Sequence, residues 1–166
     1  MPKTAKIIDI GGGDSKLVDN LLDEGFDNIT VLDISARALD KAKARLGERA
    51  NRVNWIVSDI TDFNPDNIFD VWPDRATFHF LTTEAQVANY IINARKAVTG
   101  YLIIGTFSTN VPNQCSGLHI KQYNEESLTT ELKNGFDKIR CITEDHITPM
   151  HTTQNFLFCN FKRHNN

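Results

Sequence analysis

An apolar run, Lys6-Ile7-Ile8-Asp9-Ile10, feeds directly into Gly11-Gly12-Gly13 and then Asp14-Ser15. Few folds accept that order: it reads as a strand, a tight turn and a helix start. Glycine omits the Cβ that keeps a ligand off the backbone, and it tolerates the positive φ angles of such a turn. In an open α/β sheet the strand ends point at the ligand edge. Asp9, two residues before the first glycine, delivers a carboxylate to that edge.

Strand and helix signals then alternate. Asp14 or Ser15 is positioned to cap a helix with Leu17, Val18, Leu21 and Leu22 on one face, stopped by Gly25. Ile29 to Asp33 is a second strand, Ser35 caps a helix ending at Gly47, and Val53 to Val57 is a third strand followed by Ser58-Asp59. Residues 60–68 read as loop. Phe69-Asp70-Val71-Trp72 opens a fourth strand leading into Pro73-Asp74-Arg75, a helix runs from Glu84 to Val98, and Tyr101 to Phe107 is the fifth strand. This order implies a parallel sheet with helices on both faces.

The last third differs. A long polar connection spans residues 108–123, and Asn124 caps a short helix stopped by Gly135. Two strands follow, Phe136 to about Glu144 and Asn155 to Phe161, with no room for a crossover helix between them. They must pair as an antiparallel hairpin. At 166 residues the chain is expected to form one domain over 1–166, and a formal charge of -3 gives no reason to expect general nucleic-acid binding. Cys115, Cys141 and Cys159 lack CxxC spacing and imply unpaired cysteines in a reducing cytoplasm. No membrane span, secretory signal or metal motif is visible, and the oligomeric state is not legible.

Three acids, Asp9, Asp33 and Asp59, stand at or just past the ends of three successive strands. Asp33 lies 20 residues beyond Gly13, where an acid accepts hydrogen bonds from both ribose hydroxyls. Asp59 is placed for an adenine amino group, with Ile60 and Ile34 as candidates for the two ring faces. A dinucleotide fold shares the ribose acid, but its last fingerprint glycine is here Lys16, and Asp9 would repel a pyrophosphate. A ligand bearing an ammonium and a sulfonium suits Asp9, which favours S-adenosylmethionine over NAD.

On these residues the chain resembles the class I S-adenosylmethionine-dependent methyltransferases. Ile8 to Gly13 is similar to their first motif, Val31 to Ser35 to the second, Ser58-Asp59-Ile60 to the third and Phe69 to Leu81 to the fourth, over about Lys6 to Arg163. The resemblance implies a Rossmann-like three-layer α/β sandwich with a mostly parallel seven-stranded sheet and an antiparallel last strand. It implies S-adenosylmethionine as cofactor, S-adenosylhomocysteine as product and a small-molecule methyl acceptor. A narrower resemblance, to stand-alone bacterial methyltransferases of uncharacterised substrate, rests on Val71 to Thr82, Cys115 to Leu118, His146 to Pro149 and Gln154 to Phe156. Pro73 replaces the histidine of that pattern. Only five residues precede the first strand, so the helical cover such relatives carry there is expected to be missing.

The implied cofactor contacts are Asp9, Gly11, Gly12, Gly13, Ser15, Asp33, Ile34, Ser35, Asp59, Ile60, Asp74 and Arg75. Asp74, Arg75 and His79 follow the fourth strand and are candidates for catalysis, His79 as a proton acceptor sharing a helix face with Arg75. Equally, Asp74 and Arg75 can pair while His79 packs between Phe78 and Phe80. Cys115, His119, His146 and Gln154 are candidate substrate contacts, and His151 reads as a surface turn residue. Alternatives are a cofactor-binding protein that is inactive alone or needs a partner, a protein-lysine methyltransferase and an NAD-dependent oxidoreductase.

Overall fold

Three short parallel strands set the frame: β1 (Ile7–Ile10), β2 (Ile29–Asp33) and β3 (Val53–Val57), with Ile10 level with Leu32 and Asp33 level with Val57. The computed structural model describes residues 1–75, 77–110, 117–147 and 153–164, and 114–115 by backbone alone. Helix α1 (Leu17–Asp23) connects β1 to β2, and α2 (Ala36–Leu46) with a 3-10 turn (Gly47–Arg52) connects β2 to β3. β4 (Phe69–Arg75) lies on the other side of β1, followed by a 3-10 turn (Phe78–Phe80), α3 (Glu84–Ala97) and β5 (Val98–Phe107). The sheet is completed by α4 (Glu125–Leu132) and a hairpin. Because the connection before α4 holds the two-residue strands β6 (Gln114–Cys115) and β7 (Leu118–His119), the hairpin strands are β8 (Phe136–Ile147) and β9 (Thr153–Arg163). Strand order is β3-β2-β1-β4-β5-β9-β8, and only β9 runs against its neighbours.

Local chemistry explains most boundaries. Ser35 Oγ accepts from Ala38 N at 3.2 Å, and Thr83 and Gln86 form a reciprocal cap at the start of α3. α1 departs from expectation: its N-cap position is Lys16, with no side-chain cap, while Ser15 Oγ accepts from Leu17 N at 3.1 Å. Asp14 does not cap it, because its side chain is drawn to Arg45. β4 also runs further than its proline implies. Its pairing with β1 joins Ile7 to Val71 and Ile10 to Asp74 and passes over Pro73, which has no N–H to donate.

Side chains alternate between two apolar layers. Val18, Leu22, Val31, Leu39 and Leu46 fill the layer under α1 and α2, whereas Ile8, Leu32, Trp72, Tyr90, Leu102 and Phe161 belong to the layer under α3 and α4. Cys141 and Cys159, 18 residues apart, face each other across the β8–β9 ladder and are joined as a disulfide. Unpaired cysteines were the expectation for these two; the hairpin register, invisible in Cys spacing, brings them together. Among the described residues no helix is long and apolar enough to cross a membrane.

The larger layer depends on one polar contact. Trp72 Nε1 donates to the Tyr90 hydroxyl at 3.0 Å, with both side chains fully buried. Tyr90→Phe strands the indole N–H away from water and takes the hydroxyl from Asp74, at a cost of about 1–3 kcal/mol. Urea unfolding monitored by tryptophan fluorescence should show the midpoint fall with little change in slope; an unchanged midpoint would mean the bond contributes nothing net.

Candidate functional site

The glycine turn is shaped by what crowds it. Gly11 has φ +63°, and a Cβ there would lie 1.8 Å from Thr77 Oγ1. Gly13 has φ +41°, and its Cβ would lie 2.8 Å from Asp33 Oδ2. Neither place admits a side chain without moving the Thr77 hydroxyl or the Asp33 carboxylate, and at both the positive φ disfavours one. Arg45, projecting from α2, holds the far side of the turn: it donates to the Asp14 carboxylate, to Ser15 O at 2.8 Å and to both oxygens of Asp19 at 2.8–3.3 Å. That pairing holds the Asp19 carboxyl below its ordinary range. The sequence reading missed Arg45, whose 30-residue separation from the loop leaves no local signal.

At the carboxyl edge of β1 to β3 lies a cavity of about 630 Å³. Gly11, Asp33, Ile34, Asp59, Ile60 and Thr77 line it, with Phe80, Leu81 and His119 closing the far side. Asp33 Oδ1 accepts from Ser35 N at 2.7 Å, which orients its carboxylate; Asp59 Oδ1 accepts from both N and Oγ1 of Thr61 at 2.8 Å. Ile60 is buried, whereas Ile34 is 68% exposed at the rim. An apolar side chain left in water at a cavity mouth is material for a ring face.

Not every expected contact opens on this cavity. Asp9 is buried behind Gly12, whose Cβ would lie 2.7 Å from Asp9 Oδ2, and that oxygen has no hydrogen-bond partner among the described residues. Burial pushes its carboxyl up to about 7, partly offset by Arg75. Ser35 is committed to capping α2. Asp74 is fully buried: its Oδ1 accepts from Thr77 N at 2.8 Å and Phe78 N at 3.3 Å, and burial pushes it up to about 7. It closes the turn after β4 instead of pairing with Arg75.

The expected helix carrying Arg75 and His79 on one face is corrected. Arg75 ends β4, and its guanidinium donates to Ser15 Oγ, while His79 sits in the 3-10 turn. The His79 ring is 1% exposed, with ring centroids of Phe80 and Phe107 at 4.4 and 4.5 Å. Burial pushes its pKa down to about 4, and its Nδ1 has no partner among the described residues. His79 is thus a neutral core ring and has lost the solvent access of a proton acceptor; the packed alternative is the one observed.

Residues 7–99 match the family model of a methyltransferase domain. The chain belongs to the methyltransferase domain family. It is 31% identical over 91 residues to malonyl-[acyl-carrier protein] O-methyltransferase 1 of Ilyobacter polytropus, a match covering 54% of this chain and 33% of that protein. It is 32% identical over 82 residues to the eEF1A lysine and N-terminal methyltransferase of Mus musculus, covering 49% of this chain and 12% of that protein. The chain therefore aligns with a third or less of the length of these relatives. The crystal structure of the N-methyltransferase NodS from Bradyrhizobium japonicum WM9 with S-adenosyl-L-homocysteine superposes with a TM-score of 0.78 at 18% identity, covering 98% of this chain and 80% of that one. The fold is the same.

The matched part of the methyltransferase domain ends within β5, and a second cavity of about 290 Å³ lies mostly beyond it, lined by Arg75, Glu144, Asp145, His146, Phe156 and Phe158. The four candidate substrate residues are thus divided. His119 faces the first cavity, His146 the second, and Gln154 is the cross-strand partner of His146 without lining that cavity. The side chain of Cys115 lies outside the described residues, as does His151. Gly105 is a further residue missed in sequence: its Cβ would lie 2.6 Å from the Phe158 ring.

Buried Asp9 makes the domain sensitive to pH. Its pKa is near 4 when unfolded and about 7 when folded, so the folded state binds its proton more tightly. The stability that Asp9 contributes through this proton is fully present below pH 4 and is lost as pH rises through 7. Relative to Asp9→Asn, the wild type should therefore lose roughly 2–4 kcal/mol of unfolding free energy between pH 4 and 7.5. Denaturation of both proteins across that range measures it, and parallel curves would contradict the burial argument.

Proposed function

We propose that this chain binds S-adenosylmethionine in the 630 Å³ cavity and directs its methyl group to a small-molecule nucleophile. The observation that carries the reading is the convergence of Asp33, Asp59, Ile34 and Ile60 on one cavity beside the Gly11 turn. The residues fit the cofactor. Asp33, oriented by Ser35 N, offers acceptors for a ribose diol; Asp59 offers an acceptor for an exocyclic amine, and Ile34 and Ile60 offer apolar faces for a purine. Asp9 Oδ2, without a hydrogen-bond partner among the described residues, lies behind Gly12, where a cationic amino-acid group would favour its ionised form.

Bound S-adenosylmethionine supplies an already activated methyl group, so the protein's task is alignment and exclusion of water. Arg75 ties the glycine loop to the second cavity: its guanidinium holds Ser15 in that loop, and the residue lines the second cavity. Thr77 closes the floor beside Gly11, and the Asp74 carboxylate fixes the turn that carries it. Neither Asp74 nor His79 lines either cavity; Asp74 holds the turn after β4, and His79 packs in the core. The named relatives act on chemically unlike acceptors, so the acceptor must be read from this chain's own surfaces.

Calorimetric titration tests the cofactor. S-Adenosylmethionine and S-adenosylhomocysteine should both bind and NAD should not; heat with NAD alone would reverse the reading. Asp33→Ala removes a charged acceptor worth about 1.5–3 kcal/mol, so S-adenosylhomocysteine should bind about 10- to 100-fold more weakly with an unaltered circular dichroism spectrum. Equal affinity in the variant would place the ribose elsewhere.

A further inference from the structure

The second cavity is built on the face of the sheet at its β8 end. Arg75 is level with Gly105, Gly105 with Phe158, and Phe158 with Ile142; one step along, Phe156 is level with Glu144, and beyond it Gln154 with His146. Residues two apart on a strand share a face, so Phe156 and Phe158 stand on the side that carries Glu144 and His146. Their rings are nearly parallel, 21° apart with centroids at 6.0 Å, and the His146 ring meets Phe156 edge-on at 6.3 Å. The missing Cβ of Gly105 is what allows the Phe158 ring to lie down over β5. The result is a half-buried aromatic floor.

The walls are opposite in charge. Arg75 forms the wall nearest the glycine loop and is tied to it through Ser15. Glu144 forms the far wall, while the Asp145 side chain, next along β8, turns to the other face, where its Oδ1 accepts from Asn155 Nδ2 at 2.7 Å. β4 and β8 are separated by β5 and β9, so the walls stand three strand spacings apart, roughly 14 Å. At about 290 Å³ the cavity is at the small end of ligand pockets, too small for a folded partner's surface. A carboxylate beside aromatic rings attracts a cationic amine by charge and by the ring faces together, and it repels an anionic ligand.

We propose that this cavity is the methyl-acceptor site and that it takes a compact aromatic compound carrying an ammonium group, its ring on Phe156 and Phe158 and its ammonium at Glu144. The inference rests on the cofactor reading above and extends it to the class of acceptor. The ammonium is the recognition group. Anchored at the far wall, it leaves the opposite end of the molecule directed to Arg75 and the glycine loop, where the donor is bound.

The test is titration of tyramine and of 3-(4-hydroxyphenyl)propionate, which share a ring and differ in charge, into protein saturated with S-adenosylhomocysteine. Tyramine should bind about tenfold or more tightly than the acid. Glu144→Gln, at an exposed position that the fold does not depend on, should weaken tyramine about fivefold while leaving S-adenosylhomocysteine affinity unchanged. Phe158→Leu should weaken tyramine without altering the cofactor. Equal affinity for the two probes, preference for the acid, binding of neither, or an indifferent Glu144→Gln variant would each overturn the acceptor assignment. Failure of S-adenosylhomocysteine to bind would instead overturn the cofactor reading; the same probe comparison on the free protein would then decide the cavity separately.

Discussion

No side chain fits between Gly11 and Thr77. That contact, together with the approach of Gly13 to Asp33, brings the loop after β1, the end of β2 and the turn after β4 within a single packing distance. Everything proposed for the cofactor depends on it. A Cβ at position 11 would displace the Thr77 side chain that borders the larger cavity. Arg45 acts from outside the same loop, gathering Asp14, Ser15 and Asp19 under one guanidinium. The loop is thus gripped from both sides by residues distant in sequence.

Two buried carboxyls surround this contact, each pushed up to about 7 by loss of water. They are put to different uses. Asp74 satisfies backbone N–H groups of Thr77 and Phe78, which fixes the turn, and the Tyr90 hydroxyl stands between it and Trp72. Asp9 lies directly behind Gly12, and its Oδ2, like Asp74 Oδ2, has no hydrogen-bond partner among the described residues. An unpaired buried acceptor costs stability, of the order of 1–3 kcal/mol, and such costs concentrate where a ligand is received.

The alternation of strands and helices, the boundaries of β2 and β3 and the inverted last strand were all legible, because each follows from local pattern and turn chemistry. So was the grouping of Asp33, Ile34, Asp59 and Ile60, since parallel neighbouring strands must bring their ends to one edge. What could not be read is tertiary. Pro73 and Asp74 look like a strand's end, yet β4 continues through both because the pairing with β1 skips the missing donor. His79 carries the chemistry of a base, but the flanking Phe80 and the remote Phe107 remove its water. Arg45, Tyr90 and Gly105 have no distinguishing neighbours in sequence and gain meaning only from contacts across the sheet.

The bond between Cys141 and Cys159 turns the hairpin into a covalent ring. Glu144, Asp145, His146, Gln154, Phe156 and Phe158 all belong to that ring, so the rim and floor of the smaller cavity travel as one macrocycle clamped at its base. Closing a ring of this size removes conformations mainly from the unfolded chain. Side chains inside the macrocycle are therefore free to diverge while the clamp keeps both strands in register. The lining of the smaller cavity can change in this way without disturbing the loops that surround Asp33.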